Sequence, residues 1–192
     1  MEAPKKAGEG EVKRMTNLSQ ERAERDGTFK FCLRCPSANN CCVRFRHRLG
    51  EVESPPLLRG EQEVISAHTG LNVDVFADTS AVSVLVVKRA DNCCYFYKNG
   101  RCTIYSARPF DCKIFPFDII KYRDQFCWIV YLDLCPPEVD FSLKDEDFEA
   151  AKQYLREANV TLADLTAFVR YGRDVMAPHR YKLLEPVTLN AE

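Results

Sequence analysis

Ten cysteines spread over 192 residues constrain this chain more than any other feature of its sequence. They fall at Cys32, Cys35, Cys41, Cys42, Cys93, Cys94, Cys102, Cys112, Cys127 and Cys135. The opening MEAPKKAGEGEVKR has no apolar core of the kind an export signal needs. The longest apolar runs, VSVLVV at 82–87 and FCWIVYL at 126–132, are strand-length and far too short to span a bilayer. The expectation is therefore a cytoplasmic protein without a membrane segment. A reducing compartment does not sustain five structural disulfides. Thiolate ligation of metal is the better reading of so many cysteines.

Spacing refines that reading. In Cys32-x2-Cys35 a tight turn can present both sulfurs to one ion, with backbone N–H groups aimed at them. A dithiol redox role is the competing interpretation of such a pair. It is disfavoured because the motif does not open a helix after a strand, and because further cysteines follow within seven residues. Adjacent Cys41 and Cys42 point to opposite faces of an extended chain, which suits two centres or a polynuclear cluster better than one tetrahedral ion. For any single cysteine the alternative is a small buried hydrophobe, and that alternative fits Cys93 and Cys127. The other eight, Cys32, Cys35, Cys41, Cys42, Cys94, Cys102, Cys112 and Cys135, equal the ligand count of two four-cysteine centres, each holding zinc or an iron–sulfur cluster. All-thiolate ligation suits both metals. The lone Cys-x-x-Cys tilts the expectation toward iron–sulfur.

The chain divides into a polar, charged N-terminal tail (1–28), a cysteine-bearing body (29–137), a helical cap (138–176) and a C-terminal tail (177–192). Pro55 and Pro56 precede a helical pattern with Val64, Ile65 and His68 on one spacing and Gly70 as its stop. VSVLVVK at 82–88 reads as a strand. CCYFY and RCTIY flank Lys98-Asn99-Gly100 as a hairpin. A two-residue loop there sets Tyr97 opposite Cys102, with Cys93 on the same face; a three-residue loop sets Phe96 opposite Cys102, with Cys94 on its face. A second hairpin turns at Arg123-Asp124. After Cys135-Pro136-Pro137 no cysteine remains. Ser142 reads as a helix cap, followed by an apolar stripe of Phe148, Ala151, Leu155 and Ala158. Thr161 with Asp164 opens another helix, which Gly172 is expected to stop. The fold class is α+β: a small irregular body of β-hairpins and loops around cysteine-ligated metal, with C-terminal helices.

Taken in order, Cys32-x2-Cys35, Cys41-Cys42, Cys94-Tyr95-Phe96-Tyr97, Gly100-Arg101-Cys102-Thr103-Ile104-Tyr105, Arg108-Pro109-x2-Cys112 and Phe115-Pro116-Phe117 resemble the YkgJ-like cysteine-cluster family named for a CxxCxxCC motif. The resemblance covers roughly residues 30–118 and implies zinc or iron chelation. It also favours Cys94 over Cys93 as a ligand, since the family cysteine precedes a short apolar triplet. In the family motif two or three residues separate the Cys-x-x-Cys from the Cys-Cys pair; here five do, Pro36 to Asn40. A related cysteine cluster is associated with protein lysine N-methylation, so a component of, or accessory to, such a methyltransferase is one alternative. A structural zinc module for protein interaction is another.

Between Gly27 and Gly50 lie Lys30, Arg34, Arg44, Arg46 and Arg48 with no acidic residue, and Arg101, Arg108 and Lys113 sit beside the later cysteines. A nucleic-acid patch is one interpretation. A formal net charge of −1 argues against it. Four thiolates around zinc or a four-iron core leave a charge of about −2, which nearby cations offset while donating hydrogen bonds to sulfur. Arg108, Arg101 and Tyr105 are the expected neighbours of the ligands, with Arg108 poised to clamp Asp111 or Asp118. His47, His68 and His179 read as surface or packing residues. No catalytic triad, no paired catalytic carboxylates, no phosphate-cradling loop and no S-adenosylmethionine-binding glycine loop stands out, so the sequence favours a metal-binding protein over an enzyme. A protein partner is compatible with this reading.

Overall fold

The computed structural model describes residues 42, 46–47, 50–51, 54–80, 83–90, 93–132, 145–175 and 179–189. It is mixed α+β, with helices and small antiparallel sheets. The first strands, β1 (Arg46–His47) and β2 (Gly50–Glu51), pair with each other. Helix α1 (Glu61–Thr69) is bounded by two left-handed glycines, Gly60 at φ 87° and Gly70 at φ 72°, and the Gly70 N–H closes the last turn on the Ser66 carbonyl. Only glycine enters that conformation without penalty, which is why the helix begins and ends where it does. A short helix α2 (Val73–Phe76) leads into β3 (Ala77–Thr79), which pairs with β4 (Leu85–Val87).

Next come two-residue pairings, β5 (Arg89–Ala90) with β6 (Cys93–Cys94) and β7 (Tyr97–Lys98) with β8 (Arg101–Cys102). A 3₁₀ turn at Tyr105–Ala107 and a short helix α3 (Phe110–Ile114) follow. The longest hairpin, β9 (Phe117–Tyr122) and β10 (Gln125–Tyr131), turns on Arg123 and Asp124 at φ 46° and 64°. Helices α4 (Asp145–Glu157) and α5 (Leu162–Val175) come after it.

Two apolar cores organise these elements. One joins Phe110 and Ile114 of α3, Phe117 and Ile119 of β9, and Trp128 and Val130 of β10 to Ala151 and Leu155 of α4 and Leu165, Phe168 and Val169 of α5. The other joins Ile65 of α1, Phe76, Val87, Phe96, Ile104 and Ala107. Leu58 belongs to the first and its neighbour Leu57 to the second, so a single dipeptide stitches the cores together. Tyr171 adds a second tie: it packs on Val84 and Val86, and its hydroxyl donates to the Ser54 carbonyl at 2.7 Å.

Several sequence expectations change in detail. The stripe on α4 holds at Phe148, Ala151 and Leu155, but Ala158 lies beyond the helix end and is exposed, because Asn159 turns the chain through a positive φ of 49°. Thr161 and Asp164 do form a reciprocal cap at the start of α5. The helix then runs through Gly172 to Val175. An interior glycine costs about 1 kcal/mol in propensity, too little to stop a helix whose Phe168, Val169 and Tyr171 are already packed. Residues read as part of the C-terminal tail form strand β11 (Tyr181–Pro186), which pairs antiparallel with β10 and completes a sheet of order β11-β10-β9. Its side chains are mostly exposed, so no alternation of apolar and polar residues marks it in the sequence.

Candidate metal centre

Four of the eight candidate ligands, Cys42, Cys94, Cys102 and Cys112, are described; Cys32, Cys35, Cys41 and Cys135 lie outside the described residues. The two cysteine blocks meet through a peptide group. The Cys42 carbonyl accepts the Cys94 N–H at 2.7 Å and the Cys93 S–H at 3.1 Å. The Cys93 thiol also approaches the Tyr97 carbonyl, at 4.0 Å. Both approaches direct the Cys93 sulfur at main-chain oxygens.

The hairpin chooses the two-residue loop. Tyr97 pairs with Cys102 and Lys98 with Arg101, around Asn99 and Gly100 at φ 52° and 77°. Two successive left-handed residues make the turn that matches strand twist, and Asn-Gly is its preferred sequence. Yet the chain is not one continuous strand from Cys93 to Lys98. Tyr95 and Phe96 form a turn between β6 and β7, so strict alternation fails and Cys93 does not follow onto the face of Cys102. The cause is Phe96, which is 3% exposed and lies 5.3 Å from Phe76 in the second core. Cys94 and Cys102 pack against that same core.

The backbone N–H groups of Phe96 and Tyr97 hydrogen-bond the Cys94 sulfur and favour its thiolate, but burial outweighs them and holds the thiol above its ordinary pKa. Cys112, in α3, is pushed well above the ordinary range, first by burial and then by Asp111, Cys42 and Cys94, with Arg108 pulling the other way. Cys42 and Cys94 thus both lie close enough to act on Cys112. Among the described residues no three His, Cys, Asp or Glu side chains enclose a position for an ion. The described cysteines do not complete a site by themselves.

Arg108 is 4% exposed and stacks over the Tyr105 ring, 4.2 Å from its centroid. Its Nε and Nη2 atoms have no hydrogen-bond partner among the described residues. The expected clamp on Asp111 or Asp118 does not form. Asp118 instead accepts the Ile119 N–H at 2.7 Å and the Tyr131 hydroxyl. An unpaired buried guanidinium is costly, by several kcal/mol. Beside Cys112, its natural complement is negative charge on sulfur. Tyr105 is half-buried beneath it, and Arg101 is exposed on β8.

One neighbour of the site escaped the sequence reading. The half-buried Glu61 carboxylate accepts the Leu58 N–H at 2.9 Å and, from across the fold, the Phe110 N–H at 2.6 Å. It also acts on Asp111, whose carboxyl is driven well up by burial, then by Asp118, then by Glu61. Glu61 and Phe110 are 49 residues apart, and no local pattern announces such a bond.

A family model for the CxxCxxCC zinc- or iron-chelating domain matches residues 31–128, just over half of the chain. The chain belongs to the CxxCxxCC family. The matched span contains every candidate ligand except Cys135, and membership supports zinc or iron chelation by this region. No curated protein and no solved structure matches the chain. Among the described residues no helix is long and apolar enough to cross a membrane. The donor chemistry is compatible with a zinc or iron thiolate centre: cysteine thiols are present, and Cys112 feels the charge of buried Arg108, whose Nε and Nη2 are open among the described residues.

Proposed function

We propose that this CxxCxxCC domain holds an iron–sulfur cluster, with zinc as the alternative metal, through thiolates drawn from both cysteine blocks. Cys94, Cys102 and Cys112 would supply ligands from the hairpin and α3. Cys42, with Cys32, Cys35 and Cys41, would supply them from the first block, and Cys135 from the chain beyond β10. The observation that carries the reading is Arg108: a guanidinium 4% exposed, open at Nε and Nη2 among the described residues, acting on a Cys112 thiol whose pKa burial pushes well up. Metal binding releases protons from cysteine ligands and creates anionic sulfur. That charge would meet the Arg108 donors and turn two buried liabilities into one paired arrangement. When bound, the metal supplies charge neutralisation of the thiolates, and in the iron–sulfur case one-electron chemistry.

The preference for iron–sulfur rests on the single Cys-x-x-Cys and the adjacent Cys41-Cys42, which suit a polynuclear centre better than a lone tetrahedral ion. Purification without oxygen, followed by iron, zinc and acid-labile sulfide analysis, tests the reading. Stoichiometric iron with sulfide is the expected result, and stoichiometric zinc would replace the cluster with a structural ion. Fresh protein holding neither metal, with all ten cysteines freely reactive, would refute the reading.

A further inference from the structure

Helix α3 carries Cys112, and its first residue, Phe110, follows Pro109 with no side-chain cap from its own segment. The group that takes the Phe110 N–H comes from α1 instead. Glu61 divides its carboxylate between two main-chain donors, Oε2 to Leu58 at 2.9 Å and Oε1 to Phe110 at 2.6 Å. Its own helix likewise starts without a side-chain cap, at left-handed Gly60. Glu61 sits where the two cores join: Leu58 and Phe110 belong to one, and Ile65, one turn along α1, belongs to the other.

We infer that Glu61 is a positioning residue for the metal centre: by holding the Phe110 N–H it fixes the rotation of α3 and with it the direction of the Cys112 sulfur. Phe110 and Cys112 stand at a fixed offset of about 200° around one helix axis, so a rotation of the helix at Phe110 swings Cys112 through the same angle. Arg108 lies two residues before Phe110 and Cys112 two after. One carboxylate therefore sets the placement of both the cation and the thiol. A purely apolar contact could hold α3 against the core, but it could not select one rotation as sharply as a charged hydrogen bond does. The inference takes the role of Cys112 from the metal-binding reading.

The test separates the two. In full-length, reduced, metal-stripped protein, iodoacetamide labelling of Cys112 is followed by peptide mass spectrometry for wild type, Glu61→Ala and Glu61→Gln. Ile65→Val, on the same helix, serves as a variant destabilised without loss of the carboxylate. Glu61→Ala is expected to label Cys112 about tenfold faster than Ile65→Val does after normalisation to equal urea stability, a factor equivalent to about 1.4 kcal/mol. Glu61→Gln, which retains one acceptor oxygen, is expected to fall between Glu61→Ala and wild type, and it carries the test alone if the alanine variant does not fold. Labelling that tracks global stability equally in all variants overturns the inference. In metal-loaded protein, release to a chelator should quicken in the same order. A wild type that takes up neither zinc nor iron defeats the metal-binding reading, while the labelling comparison still decides the role of Glu61.

Discussion

Replacing Asp118 by Asn should remove a large part of the pH dependence of stability. Burial raises the Asp118 carboxyl to about 6 from an ordinary 3.8, even though the Tyr131 hydroxyl and the Ile119 N–H both stabilise its charged form. A group whose pKa is raised by folding favours the native state when protonated. Its stabilising effect is full below the unfolded pKa and is lost as pH climbs through the folded one. The gap between about 6 and 3.8 corresponds to about 3 kcal/mol lost as the pH rises from about 4 to about 7. Asparagine keeps an acceptor for the Ile119 N–H and titrates nowhere in that window. The substitution also relieves Asp111, which Asp118 pushes upward, so the two effects have the same sign. Trp128, the sole tryptophan and 1% exposed, reports unfolding by fluorescence in urea. Subtracting the variant from wild type at each pH cancels the titrating groups the substitution leaves unshifted and any bound metal that both proteins share, so the difference reports Asp118 together with its effect on Asp111. Parallel stability curves between about pH 4 and pH 7 would refute the argument that Asp118 is held in a desolvated site.

Other substitutions probe the site and its frame. Arg108→Met should weaken metal binding about 10- to 100-fold in a chelator competition, while metal-free stability stays level or rises because a buried charge with two open donors among the described residues is gone. Cys94→Ser and Cys112→Ser should each lower the metal content of the purified protein; Cys93→Ser and Cys127→Ser should leave it unchanged, which elemental analysis reads directly. Tyr171→Phe removes the hydroxyl that bonds the Ser54 carbonyl and should cost about 1 kcal/mol, measured from the urea midpoint.

What the sequence made legible followed from local rules. Gly70, the Asn99-Gly100 turn and the Thr161–Asp164 cap each act through residues within a few positions, and each appears where the pattern predicts. The cysteine motif and its family were equally readable, since spacing in a metal domain is itself the signal. Long-range consequences were not. The break at Tyr95 and Phe96, which undoes the alternation from Cys93 onward, exists because Phe96 is drawn into a core with Phe76, twenty residues earlier. Arg108 stacks on Tyr105 and leaves its donors open, because Tyr131, and not the arginine, satisfies Asp118. Strand β11 takes its place from the exposed edge of β10 and from almost nothing in its own composition.

The pair of hydrogen bonds accepted by the Cys42 carbonyl has a kinetic meaning. A chain that must gather ligands from two distant blocks ordinarily faces the entropy of closing the intervening loop at the moment an ion arrives. Here Cys93 and Cys94 close the 51-residue separation with an S–H and an N–H, and no sulfur is used as a ligand in doing so. Neither hydrogen bond involves a metal, so for the ligand set proposed above capture would be a local rearrangement of thiols. Uptake should then be rapid and nearly independent of the chain between the blocks, the behaviour of a preorganised chelator.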